Sequence, residues 1–262
     1  MSQSYPTGAP INIAFLGDSL INRPCEYDHA NDGTLSNQER PTNKNRNMNF
    51  GLLQKIEVGL EKFGATLDNG TRVFADDGQT IFDIVDNGID ADGNRIPSQL
   101  ERLQEAVQDG YQPDVIVLFW DSDISNFVRD HNNASDETLK AFLKAYKRKL
   151  QEFATAIDAL GIRLIIAGPG LLGEGWKIGL PAQFWGADPV LDACRNINRD
   201  IAMKYKSNRA YLDVRAALQE KSSEQYYYNG GVTLDGEHLN NTGTQIFANV
   251  LVIKLAKMLH LQ

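Results

Sequence analysis

Three short apolar runs decide what this chain can fold into. Residues 11–16, 115–120 and 164–167 are aliphatic or aromatic almost throughout, with Asn12 as the single polar interruption. They lack the apolar–polar alternation of a strand with one wet face, so each reads as a strand buried on both faces, as in a parallel sheet. The segments between them carry a helical period instead. The clearest has Leu139, Phe142, Leu143, Tyr146, Leu150, Phe153 and Ile157 on one face, Ser135 as N-cap and Gly161 as C-terminal stop. Further helices are predicted around Leu53, Ile56 and Leu60, around Leu100, Leu103 and Val107 with Pro97 in the first turn, from Asp188 through Tyr205, and over residues 242–259. Residues 71–75 and 210–213 supply two shorter strands, and residues 90–94 read as a turn cluster. Strands alternating with helices give an α/β fold, a parallel sheet covered on both faces.

The chain has 262 residues, which favours one α/β domain, residues 1–262, with insertions. One insertion is polar and spans about residues 24–47; another is an aromatic, glycine-rich loop over about residues 168–188. Net charge is −8, which repels a polyanion at long range and argues against nucleic-acid binding. A membrane span needs roughly 20 apolar residues, and no run approaches that. The N-terminus lacks a basic segment leading into a long apolar stretch, so a cytoplasmic location is the default expectation. Two cysteines, Cys25 and Cys194, allow at most one disulfide, and no Cys/His zinc pattern occurs. No metal or cofactor is expected, and oligomeric state leaves no mark in the sequence.

Ligands of parallel α/β sheets sit beyond the carboxyl ends of the strands. The residues following each strand therefore carry the chemical information. Gly17, Asp18, Ser19 and Leu20 follow the first strand; Gly78 follows the second; Trp120, Asp121, Ser122 and Asp123 follow the third. Asp235 and His238 stand just before the last helix. A serine attacks only when a base takes its proton, and that base is usually a histidine oriented by a carboxylate. Ser19, His238 and Asp235 supply those three parts, and the backbone N–H groups of Ser19 and Gly78 are candidate donors to a developing oxyanion. The plainer alternatives are a helix cap at Ser19 and a simple turn at residues 235–238.

These blocks resemble the GDSL, or SGNH, hydrolase family. Gly17, Asp18, Ser19 and Leu20 match its first block, residues 77–80 look like the block carrying the oxyanion glycine, and residues 235–240 with Gly243 match the last block. The resemblance implies a three-layer α/β/α, flavodoxin-like fold with a five-stranded parallel sheet. It also implies a cofactor-free esterase or acylhydrolase acting on a small-molecule ester, with Ser19 as nucleophile, His238 as base and Asp235 as its orienter. The third block departs from the family pattern. Ser122 stands where an oxyanion-binding Asn is normal, and Trp120 stands where a Gly is normal. Ser122 is the expected substitute donor, with Asn126, one turn on, as the alternative. Trp120, Trp176, Phe184 and Trp185 are expected to line the substrate pocket. Two other functions compete. One is a metal-dependent phosphohydrolase using Asp121 and Asp123; the other is a non-catalytic binder on a degenerate form of the same fold.

Overall fold

A computed structural model describes residues 8–26, 51–130, 135–170, 187–204, 208–221, 232 and 238–261. The first apolar run breaks at Asn12 into β1 (Pro10–Ile11) and β2 (Ile13–Gly17). Helices α1 (Ser19–Glu26) and α2 (Leu52–Glu61) follow, then β3 (Thr66–Leu67) and β4 (Arg72–Val73). After α3 (Ile81–Val85) comes a small antiparallel hairpin, β5 (Gly88–Ile89) and β6 (Arg95–Ile96), where the sequence predicts only a turn cluster. Asp90 accepts from the N–H groups of Asp92 and Asn94 and so closes that turn. Next are α4 (Gln99–Gln108), β7 (Val115–Phe119), α5 (Ser122–Asp130) and α6 (Asp136–Leu160). The chain continues through β8 (Arg163–Ala167), α7 (Ala187–Met203), β9 (Arg209–Leu212), α8 (Val214–Lys221) and α9 (Asn241–Leu259).

The caps follow the sequence closely at α6, where Ser135 accepts from Thr138 N–H and Gly161 takes a left-handed φ of 72°. At α4 the expectation shifts by two residues. Ser98 is the cap and accepts from Glu101 N–H, so Pro97 lies before the helix rather than in its first turn. Helix α1 runs to Glu26, and residues 27–50, which hold most of the expected polar insertion, lie outside the described residues. Among the described helices, none is long and apolar enough to cross a membrane.

The main sheet has five parallel strands in the order β4-β2-β7-β8-β9. Counted along the chain this is the 2-1-3-4-5 order of flavodoxin-like folds. Side chains alternate between faces. Ala14, Leu16, Ile116, Leu118, Leu164 and Ile166 pack under α3 to α7; Ile13, Phe15, Val115, Val117, Phe119, Ile165 and Ala167 pack under α1, α2, α8 and α9. Two apolar faces on one strand explain why the runs never alternate in sequence. The chain leaves β2 toward β4 on one side and later returns to β7 on the other. That reversal is the switch point at which such sheets open a crevice, and it lies over the carboxyl end of β2.

Candidate active site

Gly17 ends β2 with φ 148°, and a Cβ there would lie 1.9 Å from the carbonyl oxygen of Phe119. Only glycine lets the turn after β2 press against the backbone of β7. Asp18 then fastens the two strand ends together. Its Oδ1 accepts from Leu20 N–H at 2.9 Å, and its Oδ2 accepts from the N–H groups of Asp121 and Ser122 and from the Ser122 hydroxyl at 2.6 Å. Asp18 is fully buried, and burial pushes its pKa up while these four hydrogen bonds pull against that shift.

Ser19 opens α1 and is 6% exposed. As a first helical residue its N–H has no acceptor within the helix. Its Oγ lies 2.8 Å from His238 Nε2, across 219 residues of chain. The histidine is held by the start of α9. Asn240 caps that helix by accepting from Gly243 N–H, and Asn240 N–H donates to Val232 O at 3.1 Å. Gly243 packs so tightly on Val232 that a Cβ would sit 2.0 Å from the Val232 oxygen. Leu239, beside the histidine, is buried in the core.

Beyond β4 the chain separates from β2. Phe74 N–H still donates to Phe15 O at 2.8 Å, and Asp76 N–H reaches Gly17 O only at 3.4 Å. Asn22, one turn along α1 from Ser19, donates from Nδ2 to Asp77 Oδ1 at 2.9 Å. Gly78 follows at φ 73°, exposed, with nothing within 4 Å of where a Cβ would stand. Thr80 caps α3 in a capping box with Asp83, and Ile81 N–H donates to Asp123 Oδ2 at 2.6 Å.

The third block differs from its sequence reading. Ser122 Oγ has one proton, and that proton points at Asp18 rather than into the cleft. Asn126 is half-buried one turn further along α5. Trp120 is 0% exposed; it stacks on Tyr146 with ring centroids 5.8 Å apart and donates from Nε1 to Asp123 Oδ2. It is a core residue, not an open pocket wall, because the residue after β7 turns inward under α6. Asp123 also faces the core, and burial raises its pKa to about 7. Asp121 is buried with Oδ2 against Gly170, at 2.9 Å from where a Cβ of that glycine would stand. The two carboxylates expected to hold a metal in the phosphohydrolase reading therefore diverge. Cys194 sits in the apolar core, and its thiol pKa is driven up by burial. Asp235, Trp176, Phe184 and Trp185 lie outside the described residues.

Asp18, Asn22 and Gln99 are polar groups around the site to which the esterase reading of the sequence assigns no role. Asp18 lies inside the first block, and Asn22 is one helical turn from Ser19, so both carry a positional signal. Gln99 carries none.

No family model matches the chain, and no curated protein matches it. Solved structures do. A protein described as a GDSL-like lipase from Parabacteroides merdae superposes with a TM-score of 0.60 at 14% identity, covering 99% of this chain and 100% of its own. The acetyl xylan esterase AlAXEase gives 0.56 at 17% identity, with 94% and 100% covered. A catalytic mutant of Axe2, an acetylxylan esterase from Geobacillus stearothermophilus, gives 0.55 at 14% identity, with 97% and 96% covered. Agreement over nearly the whole length of each, together with the strand order, shows that this chain has the fold of the GDSL, or SGNH, hydrolases.

Proposed function

We propose that the chain is a serine esterase or acylhydrolase that works through an acyl-enzyme on Ser19. The observation that carries this reading is the 2.8 Å contact between Ser19 Oγ and His238 Nε2 at the switch point of the sheet. That contact is the nucleophile–base pair that ester cleavage requires. His238 takes the proton as Ser19 attacks the carbonyl, and Asp235 fixes the imidazole tautomer. The N–H groups of Ser19 and Gly78 receive the oxyanion; the exposed, left-handed Gly78 allows close approach of substrate to the backbone. His238 then protonates the leaving alcohol, and water releases the acid. Ser122 acts at Asp18 in this reading, which leaves Asn126 as the side-chain amide nearest in sequence for a third donor. Trp176, Phe184 and Trp185 are the proposed walls for the substrate. No metal or cofactor enters the cycle.

Two of the similar structures are acetyl xylan esterases, so small acetyl esters are the first substrates to test. Hydrolysis of p-nitrophenyl acetate and of acetylated xylo-oligosaccharides should vanish in Ser19→Ala and persist in EDTA. Phosphatase activity lost to chelator and kept in Ser19→Ala would establish the metal-dependent reading instead. Absence of both turnover and fluorophosphonate labelling would leave a binding protein.

A further inference from the structure

We propose that Gln99 is a positioning residue that fixes the oxyanion loop relative to the nucleophile. The inference rests on the esterase reading of Ser19 and Gly78. Gln99 is the first residue of α4 and is 0% exposed, an uncommon place for a long polar side chain. Its Oε1 accepts from Gly17 N–H at 2.9 Å, and its Nε2 donates to Gly17 O at 2.7 Å. The same Nε2 reaches Gln79 Oε1 at 3.2 Å. One side-chain amide thus grips both backbone polar groups of the residue two before Ser19, and also the residue immediately after Gly78.

The geometry explains why an amide is needed there. Strand β4 pairs with β2 only at Ala14↔Arg72 and Phe15↔Val73, and then swings away to form the oxyanion loop. Gly17 C=O keeps only the long 3.4 Å bond from Asp76 N–H, and Gly17 N–H meets Gln99 rather than a strand residue. Buried backbone groups left unpaired cost free energy comparable to a lost hydrogen bond. Gln99 fills the gap with a donor and an acceptor in the order that a peptide unit presents. The cleft can therefore open between β2 and β4 without orphaned backbone.

The loop is held at every neighbour of Gly78. Arg102 pairs with Asp76, Asn22 donates to Asp77, Gln99 donates to Gln79, Asp83 accepts from Thr80 N–H and Asp123 accepts from Ile81 N–H. Of these, Gln99 is the side chain that ties the loop directly to the backbone of the nucleophile turn. A displacement on the order of 1 Å in such a constellation can lower turnover about 100-fold.

The test compares wild type with Gln99→Leu and Gln79→Ala on p-nitrophenyl acetate, with kcat normalised to active sites counted by fluorophosphonate titration. Gln99→Leu is expected to lower kcat about 10- to 100-fold with KM within about two-fold, because the oxyanion forms only in the transition state. Hydrogen exchange should quicken at residues 74–82 while the protection of β7 and β8 stays unchanged. Gln79→Ala changes an accessible side chain, keeps the grip on Gly17, and should lower kcat by a smaller factor in the same direction. An unchanged kcat per titrated site in Gln79→Ala and Gln99→Leu overturns the proposal, as does a rise in KM alone. Should Gln99→Leu fail to fold, the Gln79→Ala result decides. Hydrolysis surviving in Ser19→Ala would instead overturn the parent reading, whatever the Gln99 variants do.

Discussion

Asp123 sits in the first turn of α5 with 3% of its surface exposed, and its Oδ2 accepts from Ile81 N–H at 2.6 Å and Trp120 Nε1–H at 2.8 Å. Burial raises its pKa from the ordinary 3.8 to about 7. In the unfolded chain the ordinary value returns, so between about pH 4 and pH 7 the folded protein holds a proton that the unfolded chain has released. The unfolded state then binds fewer protons, and stability falls as pH rises, by about 1.4 kcal/mol per pH unit. The contribution is fully present below the unfolded pKa, declines through the window and is gone above the folded pKa. Over the whole window the loss is about 4 kcal/mol; between pH 5 and 8 it is about 3 kcal/mol. Asp123→Asn keeps an oxygen able to accept from Ile81 and Trp120 and carries no charge at any pH. Urea unfolding followed by tryptophan fluorescence at pH 5, 6, 7 and 8 isolates the effect as the difference between variant and wild type. That subtraction cancels titrating groups that do not interact with Asp123; the nearby Asp18 charge, which helps raise the Asp123 pKa, is part of the effect that the difference reads. The variant should gain on wild type by about 3 kcal/mol across that range. Parallel stability curves would refute the reasoning, since they would mean that two N–H donors suffice to keep the buried carboxylate ionised throughout.

Gly243→Ala should move the start of α9, because its new methyl would meet the backbone oxygen of Val232, which no rotamer change can relieve. Melting should show a loss on the order of 1–3 kcal/mol, and ester hydrolysis should fall further as His238 leaves Ser19; unchanged kcat would sever that link. Ser122→Ala removes one of four donors to Asp18, so it should destabilise the fold by about 1–3 kcal/mol and change kcat less than tenfold. A drop of about 10²–10³ in kcat with unchanged melting would instead make the Ser122 hydroxyl an oxyanion donor. Asn126→Ala, read in the same assay, should lower kcat with KM unchanged if its amide is that donor.

The sheet is legible in the sequence because its signal is local and redundant. Every residue of β7 and nearly every residue of β8 is apolar, and no other arrangement buries both faces of such strands. The ends of α6 are legible for a similar reason: Ser135 and Gly161 each answer a backbone need created by the helix itself. Expectations fail where tertiary packing chooses between equal local options. Pro97 fits a first helical turn as well as it fits the extended residue before a cap, and the hydrogen bond from Glu101 N–H to Ser98 decides for the latter. Trp120 continues the apolar run of β7, and whether it faces cleft or core depends on Tyr146, which lies on a different element.

The site divides along the same line. Ser19 and His238 are visible in sequence because the chemistry proposed for them restricts residue type: few side chains can attack a carbonyl, and few can shuttle the proton. The groups that set their geometry obey a weaker restriction, since a buried backbone pair needs one donor and one acceptor from somewhere. Gln99 meets that need from 82 residues away from Gly17, and its neighbours in sequence give no hint of it. Ser122 shows the converse. Its place in the third block invites a reading as an oxyanion donor, but the buried Asp18, at the neighbouring strand end, accepts its hydrogen bond. A short hydroxyl beside a buried carboxylate is bound by the stronger acceptor. Ser122 thus helps to join the two strand ends, and in the esterase reading the oxyanion is left chiefly to the backbone N–H groups of Ser19 and Gly78. In that reading a site so dependent on backbone donors is sensitive to loop position rather than to any one polar side chain, and the segment around Gly78 is anchored on both sides.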